Sequence, residues 1–259
     1  MSDSRNPHGS FIWYELLTAD PDAAAAFYGD VTGWTAASAG QPGIDYRIFS
    51  ADDGPVAGHM KLPDGAEAAG MRPGWLGYIG VDDVDSAVAA IEAAGGRVHM
   101  PAMDLEGVGR MALVADPQGV PFYVMRGESD EASTSFSPME VGRCNWNELS
   151  TPDQDGALAF YTGQFGWQKG DSMPMGEMGV YQFIEHGGGM IGAVMTSPPG
   201  RPGGWNFAFG VPDIDEAAGK ISGGGGTVNH GPVEVPGGQY AVMATDPEGV
   251  PFMVVGPRI

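Results

Sequence analysis

The chain of 259 residues is short of three things: cysteine, cations and long apolar runs. Cys144 is its single cysteine. That excludes an intrachain disulfide and a cysteine-rich zinc site, and it fits a reducing compartment. Lysine and arginine number 12 against 33 aspartates and glutamates, a formal charge of −21. Such a surface repels phosphate backbones and anionic lipid, so neither nucleic acid nor membrane is an expected partner. An acidic shell also keeps a chain rich in glycine and alanine in solution. No apolar stretch approaches the roughly 18 residues that span a bilayer, and the opening MSDSRNPHGS is polar. The expectation is a soluble, cytoplasmic protein without a leader. Its five histidines include no close His–Glu spacing of the kind that marks a metal helix.

What the chain does have is a repeat. WYELLTADPDAAAAFYGDVTGW from Trp13 runs in register with WNELSTPDQDGALAFYTGQFGW from Trp146, as far as Trp34 and Trp167. GWLGYIGVDDVDSAV from Gly74 is matched by GWNFAFGVPDIDEAA from Gly204, and DPQGVPFYV from Asp116 by DPEGVPFMV from Asp246. This is a duplication, with insertions confined to the segments between blocks, where loops tolerate them. The polar, acidic GESDEASTSFSP from Gly127 has the composition of an exposed linker. The reading is a first domain over 9–126, a linker over 127–141 and a second domain over 142–257, each expected to fold by itself.

Each copy divides again. FIWYELL reads as a strand, Asp20 as a helix cap with Pro21 in the first turn, and Ala23 to Tyr28 as the helix, stopped by Gly33. WLGYIGV repeats the strand; Asp82 or Asp83 caps a helix with Val84, Val88 and Ile91 on one side, and Gly95-Gly96 ends it. DYRIFS, GPVAGHM, GRVHM, RMALVAD and PFYVM read as further strands. Four strand-helix-strand-strand-strand units result, an α+β layout with short helices outside mostly antiparallel sheet.

The ordered set AFYGDVTGW and AFYTGQFGW, VDDVDSAV and VPDIDEAA, DPQGVPFYV and DPEGVPFMV resembles the vicinal oxygen chelate superfamily of glyoxalase I, bleomycin-resistance proteins and extradiol dioxygenases. Among these the chain looks most like tandem glyoxalase-like proteins. The resemblance implies tandem domains, each of two βαβββ modules curled around a cleft. In metal-dependent members it implies ligands from each module's first strand and from the strand after the DPxG turn. Those positions hold Trp13, Leu76 and Tyr123 in one copy and Trp146, Asn206 and Met253 in the other. Trp, Leu and Met are poor ligands for a hard divalent ion. Neither a metal nor any other cofactor is therefore expected.

Strand alternation points Trp13 with Glu15, and Trp146 with Glu148. A half-buried glutamate beside an indole would have its pKa raised, which suits a proton donor or acceptor near neutrality. Glu15 and Glu148 are the catalytic candidates, with structural hydrogen bonding as the plainer role. Trp13, His59, Tyr123, Trp146, Asn206, Tyr240 and Met253 are the candidates for binding ligand. Met173, Met175 and Met178, before Tyr181, add an adaptable apolar lip or core. His8 falls in a terminus expected to be mobile. The expected partner is a small aromatic or amphipathic organic molecule, transformed or merely captured. Two alternatives stand beside that reading: a metal-dependent lyase or dioxygenase with relocated ligands such as Glu15 and His59, and a non-catalytic interaction protein.

Overall fold

The computed structural model describes residues 6–41, 43–63, 65, 71–198 and 200–259. Four repeats of one module follow each other. The first has β1 (Phe11–Thr18), α1 (Pro21–Thr32), β2 (Thr35–Ser38), β3 (Tyr46–Ala51) and β4 (Gly54–Lys61). The next has β5 (Gly74–Gly80), α2 (Val84–Ala93), β6 (Arg97–Leu105), β7 (Gly109–Ala115) and β8 (Pro121–Gly127). The third has β9 (Cys144–Thr151), α3 (Gln154–Phe165), β10 (Gln168–Pro174), β11 (Val180–His186) and β12 (Gly189–Thr196). The last has β13 (Gly204–Gly210), α4 (Ile214–Gly223), β14 (Thr227–Val235), β15 (Gln239–Thr245) and β16 (Pro251–Gly256).

Strands run β2-β3-β4-β1-β5-β8-β7-β6 in one sheet and β10-β11-β12-β9-β13-β16-β15-β14 in the other. The sheets are mixed: each module closes with a parallel pair, such as β1 with β4, while its hairpins are antiparallel. The helix ends obey their local sequence. The Asp20 carboxylate accepts the N–H groups of Asp22 and Ala23, Pro21 opens α1, and Gly33 closes it at φ 81°. Asp83 caps α2 by accepting from Ser86 N–H.

The chain forms two compact units that draw on both halves of the sequence. Among the described residues, one unit takes those within 6–12, 77–133 and 147–205, the other those within 13–76, 134–146 and 206–259. In the second of these, the Trp75 indole donates to Tyr28 Oη at 3.0 Å, and Tyr28 Oη donates to Asp246 Oδ2 at 3.0 Å. In the first, Trp205 donates to Tyr161 Oη at 3.3 Å and Tyr161 Oη to Asp116 Oδ2 at 3.1 Å. The other Asp116 and Asp246 oxygens accept N–H groups of their own DPxG turns, at residues 118 and 120 and at 248 and 250. Around these chains pack Trp34, Phe49, Phe209 and Phe252 in one unit, and Phe11, Phe122, Phe165 and Trp167 in the other.

The variable position of the DPxG turn is where the copies differ. Glu248 accepts from Thr18 Oγ1 and from the N–H groups of Ala19 and Asp20, just before α1. An anion there also suits the positive end of the helix dipole. The equivalent of Ala19 in the other unit is Pro152, which has no N–H to give, and Gln118 stands where Glu248 does. The expected linker is exposed from Glu128 to Ala132 and again from Pro138 to Val141, but is anchored between and after these stretches. Ser133 bonds Asn6 and Ile12, and Ser135 and Arg143 are buried. Arg143 reaches Pro55 O and Asp53, and the Trp34 indole donates to Gly142 O. His8, expected in a mobile terminus, is hydrogen-bonded to Gln164 O at 2.9 Å.

Each aromatic core takes residues from both halves, so separate folding of 1–133 and 134–259 is set against exchange between the halves. Expressed alone, each half should show disordered aromatic side chains by near-ultraviolet circular dichroism, and mixing the two should restore the native spectrum. Two independently native halves would contradict the pairing described.

Candidate functional site

Along β1 and β9 the side chains alternate between a face packed toward the helices and the opposite face. Tyr14 and Leu16 are fully buried on the helix face, Tyr14 against Phe207 and Phe209. Trp13 and Glu15 lie on the other. Glu15 is 4% exposed and stands opposite Gly58 of β4. The Trp13 indole donates to Tyr46 Oη at 2.9 Å. Gly58 makes that arrangement possible, since a Cβ there would fall 1.9 Å from Tyr46 Oη. Tyr46 therefore lies across β4, against the strand that carries Glu15.

The matching face of β9 carries Trp146, Glu148 and Ser150. Glu148 is 6% exposed and stands opposite Ala193 rather than a glycine. Tyr181 Oη donates to Glu148 Oε2 at 2.7 Å. Burial holds the Glu148 pKa above the ordinary carboxylate range, and the Tyr181 hydrogen bond partly offsets this by favouring the anion. Met173, paired with Tyr181, and Met195, paired with Ser150, share this face and are partly exposed. Met175 is half-buried nearby in sequence, and the Met178 side chain lies outside the described residues. Tyr46 and Tyr181 were not singled out from sequence as site residues. Their signal was a tyrosine kept at the end of two otherwise dissimilar lips.

The remaining candidates fall into two groups. Tyr123 is on the same side of its strand pair as Tyr78, and the two rings stack at 4.2 Å and 19°. At the equivalent places in the other copy Met253 stands beside Ala208, both buried. Asn206, two residues before Ala208, has a buried Oδ1 with no hydrogen-bond partner among the described residues. His59 and Tyr240 lie elsewhere. His59 pairs with Leu16, not Glu15, so it points to the helix face, where it stacks on Phe49 at 4.0 Å. The relocated Glu15–His59 metal pair is thus not assembled: consecutive β1 residues face opposite ways. Tyr240 shares the parity of buried Val242 and Ala244 and lies under the Arg258 guanidinium, which pairs with Asp215 of α4. Its counterpart Arg110 makes the corresponding ion pair with Asp85 of α2.

The sequence profile of the Glyoxalase/Bleomycin resistance protein/Dioxygenase superfamily matches residues 10–124 and 143–254. The chain belongs to this superfamily. It is 36% identical over 253 residues to "Putative glyoxylase CFP32" of Mycobacterium bovis, covering 96% of this chain and 95% of that one. It is 34% identical over 269 residues to anthracycline biosynthesis protein DnrV of Streptomyces peucetius, covering 95% and 93%. Among solved structures it resembles the Mn(II)-bound glyoxalase from Novosphingobium aromaticivorans, with a TM-score of 0.63 at 20% identity over 98% of this chain and 83% of that one. A variant of homoprotocatechuate 2,3-dioxygenase from B. fuscum gives 0.68 at 15%, over 100% and 74%. At these identities the structures speak for the fold.

The donor set does not fit the divalent metal of such superfamily members. Among the described residues no three His, Cys, Asp or Glu side chains converge. Of the positions that the family uses for ligands, Trp13, Leu76, Trp146 and Met253 offer no hard donor, which leaves Tyr123 and Asn206.

His59 has a measurable consequence for stability. Neither of its ring nitrogens has a hydrogen-bond partner among the described residues, and burial, then the nearby Arg47 charge, lowers its pKa to about 4. The neutral ring is favoured in the folded state, so the unfolded chain binds the extra proton between about pH 6.5 and about pH 4. His59's contribution is complete above that window and is lost as pH falls through it, by about 3 kcal/mol. Denaturant titration of wild type and His59→Phe across the window should show the variant losing less stability toward acid. Parallel curves would contradict the assignment.

Proposed function

We propose that the protein binds a small aromatic or amphipathic organic molecule on the faces that carry Glu15 and Glu148. On this reading the two carboxyls supply proton transfer and no divalent ion takes part. The observation that carries it is the recurrence, in both copies, of a buried carboxyl next to a tyrosine on the face opposite the helices. An apolar setting with a few convergent polar groups is the usual character of a small-molecule site. Trp13 and Trp146, half-buried, supply aromatic surface, with Tyr123, Met253 and the Asn206 Oδ1 buried on other strands. The name of DnrV, anthracycline biosynthesis protein, makes polycyclic aromatic carbonyl compounds the first class to test. The name of CFP32 puts glyoxalase-type chemistry beside it. Either chemistry calls for a group that moves a proton next to a carbonyl or hydroxyl.

Capture without turnover is the second reading, because the same walls would stack on a ligand whose bonds never change. Glutamine replacement separates the two. In Glu15→Gln, Glu148→Gln and the double variant, shape and hydrogen-bonding capacity persist while the titrating group is gone. If proton transfer is the function, turnover of the compound found by thermal-shift screening should fall by roughly a hundredfold or more, with affinity little changed. Turnover that survives intact in the double variant would remove both carboxyls from the mechanism. Stoichiometric binding with no product in wild type would favour capture.

A further inference from the structure

The hydrogen bond from Tyr181 has a direction, and the direction decides what Glu148 can do. Tyr181 Oη donates to Oε2, so Oε2 acts as an acceptor. With Tyr181 kept as the donor, a protonated carboxyl carries its hydroxyl on Oε1, the oxygen the tyrosine leaves unengaged. We propose that Glu148 works as a neutral carboxylic acid whose Oε1–H donates to a carbonyl oxygen of the ligand, with Tyr181 as the positioning residue that holds it so. This rests on the ligand-binding reading above and narrows it to an apolar molecule bearing an oxygen acceptor.

Three features support it. The carboxyl is almost wholly buried, which penalises the charged form. Among the described residues its strand neighbours and those opposite it on β12 carry no charge: Trp146 and Ser150 flank it on β9, Ala193 and Met195 lie on β12, and Tyr181 reaches it from β11. Beside it, Met173 and Met195 offer partly exposed, polarisable surface suited to a ring system. A carboxylate there would present only acceptors to a carbonyl and would repel it.

The test uses the full-length protein and two probes, hydroxymethyl-anthraquinone, which carries carbonyls and no titrating group, and hydroxymethyl-anthracene, which lacks the carbonyls. Affinities are measured by fluorescence titration from about pH 4 to about pH 9. The quinone should bind tightly in acid and lose up to tenfold per pH unit once Glu148 ionises. The carbonyl-free probe should bind more weakly and without that slope. Glu148→Gln keeps a donor in its amide, so it should bind the quinone at all pH values without the loss. Tyr181→Phe removes the bond that favours the anion, so its midpoint should move to higher pH. A purely structural tyrosine would change affinity and leave the midpoint in place. Quinone binding that is flat with pH, that strengthens as pH rises, or that keeps its slope in Glu148→Gln would overturn the proposal while leaving the ligand-binding reading standing. Failure of wild type to bind either probe at any pH would remove aromatic binding itself, and this proposal with it.

Discussion

Each compact unit is organised by one buried hydrogen-bond chain, from tryptophan to tyrosine to aspartate. The three residues come from three of the repeated motifs: tyrosine from AFY on a helix, tryptophan from GW on a strand, and aspartate from the DPxG turn. Deep burial makes each link obligatory, because removing one partner leaves a donor or acceptor in apolar surroundings at a cost of about 1–3 kcal/mol. The aspartate also closes its own turn through two backbone N–H groups, so turn, helix and strand are set by the same carboxylate. Burial raises the pKa of both Asp116 and Asp246, which those hydrogen bonds partly counter. With the helix face committed to this network and its aromatic packing, the opposite face is left to vary.

That variation is where the copies part. Tyr46 crosses over Gly58 and takes the Trp13 indole N–H, whereas Ala193 fills the corresponding space and Tyr181 gives its proton to Glu148. Tyr78 and Tyr123 stack on one another, and Ala208 and Met253 replace them in the second copy. Substitutions of one methyl or one ring thus change the polar groups on offer without touching the hydrogen-bond chain behind the sheet. The scaffold is shared with a manganese glyoxalase and with dioxygenases, while among the described residues here no three His, Cys, Asp or Glu side chains converge.

The module pattern, the helix caps at Asp20 and Asp83 and the duplication were legible in sequence, because each depends on residues close together in the chain. So was the alternation that pairs Trp13 with Glu15. His59 was harder: a shift of one residue turns a strand side chain to the other face, and the register of β4 on β1 is set by pairing that local sequence does not encode. The composition of each compact unit was hidden more deeply. Identical motifs in both copies leave open whether Tyr28 meets Asp116 or Asp246; the contrast between Glu248, facing the Ala19 and Asp20 amides, and Gln118, in the unit with Pro152, is the one readable trace of that choice.

On the proposed function, ligand is recognised by carboxyl, tyrosine and aromatic groups in place of a chelated ion. Elemental analysis of protein purified without added metal, followed by titration with hydroxymethyl-anthraquinone in excess chelator and in excess manganese, tests it most directly. The account predicts no stoichiometric manganese, iron or zinc, and the same affinity in both solutions. One tightly held ion per copy, whose removal abolishes binding and whose return restores it, would contradict it.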